Sequence, residues 1–321
     1  KHLADAAGVV YTPVDGDQHG LLTGLVRWAR GLGLEVIAGG KARPYDFVYD
    51  EAARTVMCDQ QTVTLSAESM QALAPITSGN AVDVLRARRE LLAEIQQVGE
   101  PDVCEAVNAA NATALLADIP ELHAPIVRTT EIAEVLCTAA DGGVLARTGV
   151  IDVVNVLRRA DEPGLGGGVF TVVAAGHART WAFMREKGLL MNARGSCGLL
   201  YRPYHLLGVE TPVTLLAAVL LGLPTGGSEV LPRVDLAART TRDFRAGEVV
   251  PMGHHVPLQP LMLPAVPVGD DHALPYFLAV HNQLMVDVPA GTILTYNMLE
   301  EPPESRLWAL RRAQDRTLLH T

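Results

Sequence analysis

Basic charge is in short supply here. Lys and Arg number 26 against 36 Asp and Glu, for a formal net charge of -10. That balance argues against a nucleic-acid partner, which calls for a basic surface. Cysteine is sparse as well. Cys58, Cys104, Cys137 and Cys197 lie far apart and form no CxxC pair, which argues against a disulfide framework or a structural zinc site and suits a reducing cytosol. No apolar signal core follows Lys1-His2-Leu3-Ala4-Asp5. The most membrane-like run, Leu206 to Leu223, is interrupted by Glu210 and Pro212. It falls short of the roughly 20 apolar residues that a bilayer span needs and reads as a buried helix. A cytoplasmic protein with no membrane partner is expected. GxSxG, Walker and HExxH motifs are missing, as are internal repeats and low-complexity tracts. His254-His255 has no further ligand at a useful spacing, so no metal site is expected.

What the chain does have is apolar mass. Its 321 residues are 49% hydrophobic and 19% charged, enough for sizeable cores and for two or three domains at roughly 100–200 residues each. The chain opens without Met, in a helix end, and reads as a piece of a longer protein. Val9-Val10-Tyr11 looks like a short strand. Leu21, Leu22, Leu25, Val26 and Trp28-Ala29 form a helical stripe over 20–30, and Leu34 to Ala38 reads as a buried strand with Gly39-Gly40-Lys41 at its end. Such a strand–helix–strand unit favours a parallel sheet with its ligand at the carboxyl ends of the strands. Helices are expected from Ser66, over 80–97, over 101–116 and over 180–187. Strands are expected over 150–157 and 169–175, joined by the glycine-rich loop 161–168. That loop precedes a strand and no helix, so it is no dinucleotide fingerprint. After a linker at 224–228 the chain turns to short Val-rich runs at 234–238, 249–250, 278–280 and 293–295, the signature of a compact β unit.

Three segments could carry chemistry. Asp15-Gly16-Asp17-Gln18 lies at a helix N-terminus, where backbone N–H groups can meet an anion and where Asp17 is also a natural cap. Gly39-Gly40-Lys41 combines close backbone approach with a lysine able to polarise an oxygen, or it is a surface lysine after a turn. Tyr201-Arg202-Pro203-Tyr204-His205 offers a bidentate cation and two proton donors, with Pro203 at a helix start, or it packs its aromatics in the core.

Taken in order, these segments resemble the homoserine dehydrogenase-like SAF-domain oxidoreductases, relatives of the reductoisomerase-like enzymes that make methylerythritol phosphate. The likeness runs through Gly16-Asp17-Gln18, Val36 to Lys41, Asn108 to Thr113, Asp141-Gly142-Gly143, Leu200 to Glu210 and Gly222 to Gly226. It continues through Ala246-Gly247-Glu248, Leu278 to Asn282 and Pro289 to Thr295, covering nearly the whole chain. The resemblance implies an α/β plus α+β architecture. Residues 1–65 would be the C-terminal half of a Rossmann domain, completed by a helix over 204–223. Residues 66–203 would form an α+β substrate and dimerisation domain, and 229–321 a β-clip-like SAF domain. It implies NAD(P)-dependent oxidation or reduction of a small anionic keto or polyhydroxy acid or sugar phosphate by a homodimer or higher homo-oligomer. Lys41, His205 and Tyr201 would be catalytic. Arg202, Asn111 and Arg43 would bind substrate, and Asp17, Gln18, Gly39 and Gly40 would bind cofactor. Two departures stand out. The family's opening strand–GxGxxG–helix has no counterpart here. The second lysine of relatives gives way to Ala42-Arg43-Pro44, with Arg43 as the substitute cation, and their Asp-Gly-Thr-Lys to Thr77-Ser78-Gly79-Asn80. These departures keep open a cofactor-free small-molecule or carbohydrate-binding protein, or a non-redox lyase or isomerase.

Overall fold

The computed structural model describes every residue except Ser78, Ser228, His254, His320 and Thr321. Strands are β1 (Glu35–Ala42), β2 (Phe47–Asp50), β3 (Thr55–Cys58), β4 (Gln61–Thr64), β5 (Ile126–Val127), β6 (Val150–Arg159), β7 (Val169–Ala174), β8 (Leu190–Met191), β9 (Gly198–Arg202), β10 (Val234–Thr240) and β11 (Leu258–Pro264). Helices are α1 (His2–Ala6), α2 (Gln18–Gly31), α3 (Ala81–Leu91), α4 (Glu100–Thr113), α5 (Ile132–Val135), α6 (Ala178–Glu186), α7 (Thr211–Leu216), α8 (Tyr276–Ala279) and α9 (Arg306–Leu318).

The molecule is a mixed α/β protein. Its large sheet has nine strands in the path β4-β3-β2-β6-β1-β7-β9-β8, with β5 also on β6. β6 is parallel to β1, β2 and β5, while β7 runs antiparallel to β1. β1 and β2 follow one another along the same edge of β6: Ala42 faces Val154 and Phe47 faces Leu157. Five chain steps therefore oppose three, and the two extra residues form a bulge at 43–46 that re-aims its side chains.

Burial explains why these elements form. β6 is buried over Val150–Leu157, as a strand covered on both faces must be. α2 begins where the Asp17 carboxylate accepts the Gln18 N–H at 2.8 Å. Its stripe Leu21, Leu22, Val26 and Ala29 is buried, at about 1.5–3 kcal/mol per fully buried Leu or Val. α4 packs on α2 and β6 and also on β10 and β11. One core therefore runs from the large sheet through α4 into the C-terminal unit, where it takes in Leu236, Phe244, Met262, Leu278 and Trp308. That unit is the β10–β11 pair extended by isolated bridges such as Arg239–Ile293 and Leu284–Leu299.

Several expectations from the sequence are corrected. Val9-Val10-Tyr11 is exposed and forms no strand. Gly39, Gly40 and Lys41 lie inside β1 and are buried. The helix expected from Ser66 is a 3₁₀ turn, Ser69–Leu73, and Leu278-Ala279 is helical. The continuous helix over 204–223 is also overturned. Pro203 starts no helix; the helix begins at Thr211 and ends in a π-helical turn, Ala217–Leu221. Nor is it buried: Val219 is 80% and Leu220 71% exposed. It is tied down through Thr214, whose hydroxyl donates to Asp15 Oδ2 at 2.9 Å. The pattern of the run was that of a buried helix, but this chain supplies no surface to cover it. No helix among the described residues is long and apolar enough to cross a membrane. Of the His254-His255 pair, His254 lies outside the described residues.

Candidate functional site

The site is built where β1 ends beneath the first turns of α2 and α4. Lys41 extends from β1 to the face that α4 covers. Its ammonium lies 3.2 Å from Asp102 Oδ1 and donates to Glu105 Oε2. Asp102 and Glu105 are three residues apart in α4 and so share one helix face. Arg43, at the start of the bulge, donates from Nε to Asp102 Oδ2 at 2.9 Å and from Nη1 to the Gln96 carbonyl. Asp102 Oδ2 also accepts the Gly99 N–H at 2.9 Å, which closes the cap of α4. The side chains of Lys41 and Asp102 are 3% and 5% exposed, but that of Glu105 is 28% exposed. The cluster is two cations and two carboxylates, electrically balanced, and it reaches solvent through Glu105 and, to a lesser extent, through Arg43, 17% exposed.

Other expected residues gather around it. Gln18 Nε2 donates to the Ala42 carbonyl at 2.9 Å. The Gly167 N–H donates to the Arg43 carbonyl at 3.0 Å, and the His205 ring packs against Gly167, where a Cβ would meet it at 2.9 Å. His205 Nδ1 is buried without a hydrogen-bond partner among the described residues. Arg202, on β9 opposite Val169, pairs with Glu210 and is 44% exposed. Tyr201 is half exposed, opposite Phe170. Gly16, at φ +89°, lies so close to the Leu206 carbonyl that a Cβ would come within 2.7 Å. The structure therefore brings together α2, β1, α4, the glycine loop and the segment after β9.

Asn111 is placed differently. It sits six residues beyond Glu105, roughly 9 Å further along α4 at 1.5 Å per residue. Its Oδ1 accepts the Arg233 and Val234 N–H groups, and its Nδ2 donates to the Val234 carbonyl. Its amide joins α4 to β10.

The residues expected to hold a dinucleotide do not form a cradle for one. The space over Gly39 is filled by Leu115, Val26 and Leu22, and that over Gly40 by the Asp152 carbonyl and Phe170. Both glycines are there for close packing within the protein. Gln18 is buried on β1. The Asp17 carboxylate occupies the N-terminus of α2 and opposes a pyrophosphate there.

The sequence reading did not single out Asp102 and Glu105. Their signal was an acidic pair at i, i+3 in a helix start, a pattern as common in caps as in active sites. Cys104, beside them on α4, has its thiol pushed up to about 11 by burial and then by the Glu100 and Glu105 carboxylates. It is therefore a protonated packing group. Asp152 is fully buried, and burial raises its carboxyl above the ordinary range against three backbone N–H bonds from His123, Ala124 and Val153. Those bonds show it anchoring the 123–124 loop.

Residues 90–211 match the family model described as Oxidoreductase DRL, catalytic domain. The matched stretch is less than half of the chain. It contains Asp102, Glu105, the glycine loop, Tyr201, Arg202 and His205 but not α2 or β1. The match supports a redox enzyme. No curated protein matches the chain.

Proposed function

We propose that the chain is an oxidoreductase acting on a small anionic keto or polyhydroxy acid or a sugar phosphate. The observation that carries this reading is Lys41: a buried ammonium at the carboxyl end of β1, linked to solvent through Glu105, within a chain whose 90–211 stretch matches an oxidoreductase catalytic domain. An ammonium has three N–H donors. Two face Asp102 and Glu105, and the third is assigned to the substrate oxygen. In the reducing direction that oxygen gains its proton from Lys41; in the oxidising direction it returns it. Glu105, partly exposed, passes the proton between Lys41 and water. His205 and Tyr201 are assigned as further proton donors, and Arg43 and Arg202 as cations for the acidic group, with Arg202 exchanging Glu210 for the substrate. Asn111 positions α4 in this reading.

NAD(P) is the carrier that the resemblance implies, with the names Rossmann half and SAF domain and the homodimer. Asp17, Gln18, Gly39 and Gly40 are occupied within the protein. That occupancy favours a second reading, a cofactor-free binding protein or a non-redox lyase or isomerase at the same site. Calorimetric titration with NADH and NADPH, followed by absorbance assays with keto and polyhydroxy acids, separates the two. Micromolar binding with turnover lost in Lys41→Met would support the NAD(P) reading. Absence of both binding and nucleotide-linked turnover overturns the NAD(P) reading and leaves the second.

A further inference from the structure

The four cysteines are scattered along the sequence, but the fold brings two of them together. Cys137 lies just after α5 and Cys197 immediately before β9, and both belong to one buried cluster with Ile132, Leu145 and Leu199. The Cys197 thiol donates a hydrogen bond to the Cys137 sulphur. One side chain frames the pair: Asn192 donates from Nδ2 to Cys137 Sγ at 3.8 Å, and its Oδ1 accepts the Cys197 N–H at 3.0 Å. The Ser196 hydroxyl donates to Cys197 Sγ at 3.9 Å. The hydrogen bond from Cys197 holds the Cys137 thiol below its ordinary range, against burial and with help from the Asn192 amide. The Cys197 thiol is pushed up by that same bond and by burial. Cys58 and Cys104 belong to other clusters, and burial raises both of their thiols. The thiolate is the nucleophile of sulphur chemistry, so Cys137 is the attacking atom and Cys197 stands beside it as the second sulphur.

Both sulphurs are buried, with Cys137 0% and Cys197 1% exposed, but the layer over them is thin. It is the turn 193–196, in which Ala193 and Arg194 are exposed and Gly195 and Ser196 half-buried. Ser196 itself reaches Cys197 Sγ. A cavity of about 570 Å³, lined by Glu134, Met191 and Ala193 among others, runs up to the edge of this turn. Surface turns open locally for a fraction of the free energy of global unfolding, so a small oxidant needs only this turn to lift.

We propose that Cys137 and Cys197 are a redox-responsive pair that closes to a disulfide when a peroxide reaches it. The Cys137 thiolate attacks one peroxide oxygen and the O–O bond breaks. A sulfenic acid forms, and the released hydroxide leaves as water with the proton that Cys137 gave up. The Cys197 sulphur then attacks the sulfenic sulphur; the S–O bond breaks, an S–S bond forms, and the hydroxyl leaves with the Cys197 proton as a second water. Two thiols are oxidised by two electrons in all, and hydrogen peroxide is reduced to two waters. A dithiol reductant reverses the bond by exchange. Closure fastens the segment after α5 to the start of β9, the strand that carries Tyr201 and Arg202. The proposal does not rest on the redox reading of the Lys41 site.

The test is mass-spectrometric mapping of the full chain, first reduced, then treated with hydrogen peroxide under native conditions and digested without reductant. A peptide pair cross-linked through Cys137 and Cys197 is expected, lighter by two hydrogens than its reduced parts. Cys58 and Cys104 should remain open to alkylation after denaturation, and dithiothreitol should restore all four thiols. Cys58→Ser should keep the cross-link, and Cys137→Ser should lose it. The absence of a cross-link in the unaltered chain, a cross-link through Cys58 or Cys104 instead, or one that forms only in urea overturns the proposal.

Discussion

Two buried clusters of opposite charge sit on the same fold and differ in one respect. In the first, Arg88 of α3 is wholly buried and all five of its N–H donors are engaged. Nη1 meets the Ile126 carbonyl and Glu131 Oε2 at 2.8 Å, Nη2 meets the Ala74 carbonyl and Glu131 Oε1, and Nε meets the Ala72 carbonyl. In the second, Lys41 engages two carboxylates, one of which reaches solvent. Burial of charge is common to both. Completion of the hydrogen bonding among the described residues is not: every donor of Arg88 is met, while Lys41 has two carboxylates for its three N–H donors, the third being the one proposed to meet a substrate.

The comparison can be broken from either side. Arg88→Met leaves the buried Glu131 with only the more distant Arg128 cation, 3.8 Å away, so urea unfolding should show a loss of about 3–5 kcal/mol. Gly40→Ala should lose roughly 1–3 kcal/mol or more, because its Cβ would fall 2.1 Å from the Asp152 carbonyl, a backbone atom that cannot turn aside. Lys41→Met should lower turnover by about 10²–10⁴-fold yet destabilise less than Arg88→Met, since Arg43 remains on Asp102. Equal destabilisation by both would make the Lys41 cluster a structural knot too.

Smaller effects sharpen the picture. The raised thiol of Cys104 gives a stabilisation that is complete below the unfolded pKa of about 8.5 and fades as pH rises toward about 11. Cys104→Ala should therefore flatten the decline in stability over that window; an unchanged decline would show the thiol to be uninvolved. The smallest effect is expected at Val219, 80% exposed. Val219→Asp should change stability by less than about 0.5 kcal/mol, whereas a loss of 2 kcal/mol or more, as roughly expected for a core position, would restore the buried-helix reading of 206–223.

Much of the fold was legible because it depends on local pattern. The α2 stripe, its Asp17 cap, the unbroken apolar run of β6 and the glycine-rich loop before β7 are all written in neighbouring residues. The candidate site was legible only in part. Lys41, Gln18 and His205 stood out by type and position, and Arg43 through the family resemblance, but Asp102 lies 61 residues from Lys41 and Asp46 lies 112 from its partner Arg158. Nothing in local spacing marks either pair.

By itself the sequence determined where helices and strands could form, the acidic balance, and a lysine following two glycines in a buried run. Tertiary structure alone decided that those glycines serve packing, that Lys41 lies under α4, and that the apolar stretch 206–223 stays on the surface. The physical reason is that periodicity reports which face of a segment prefers to be buried. What covers that face, and which distant charge meets it there, depends on contacts between residues far apart in the chain.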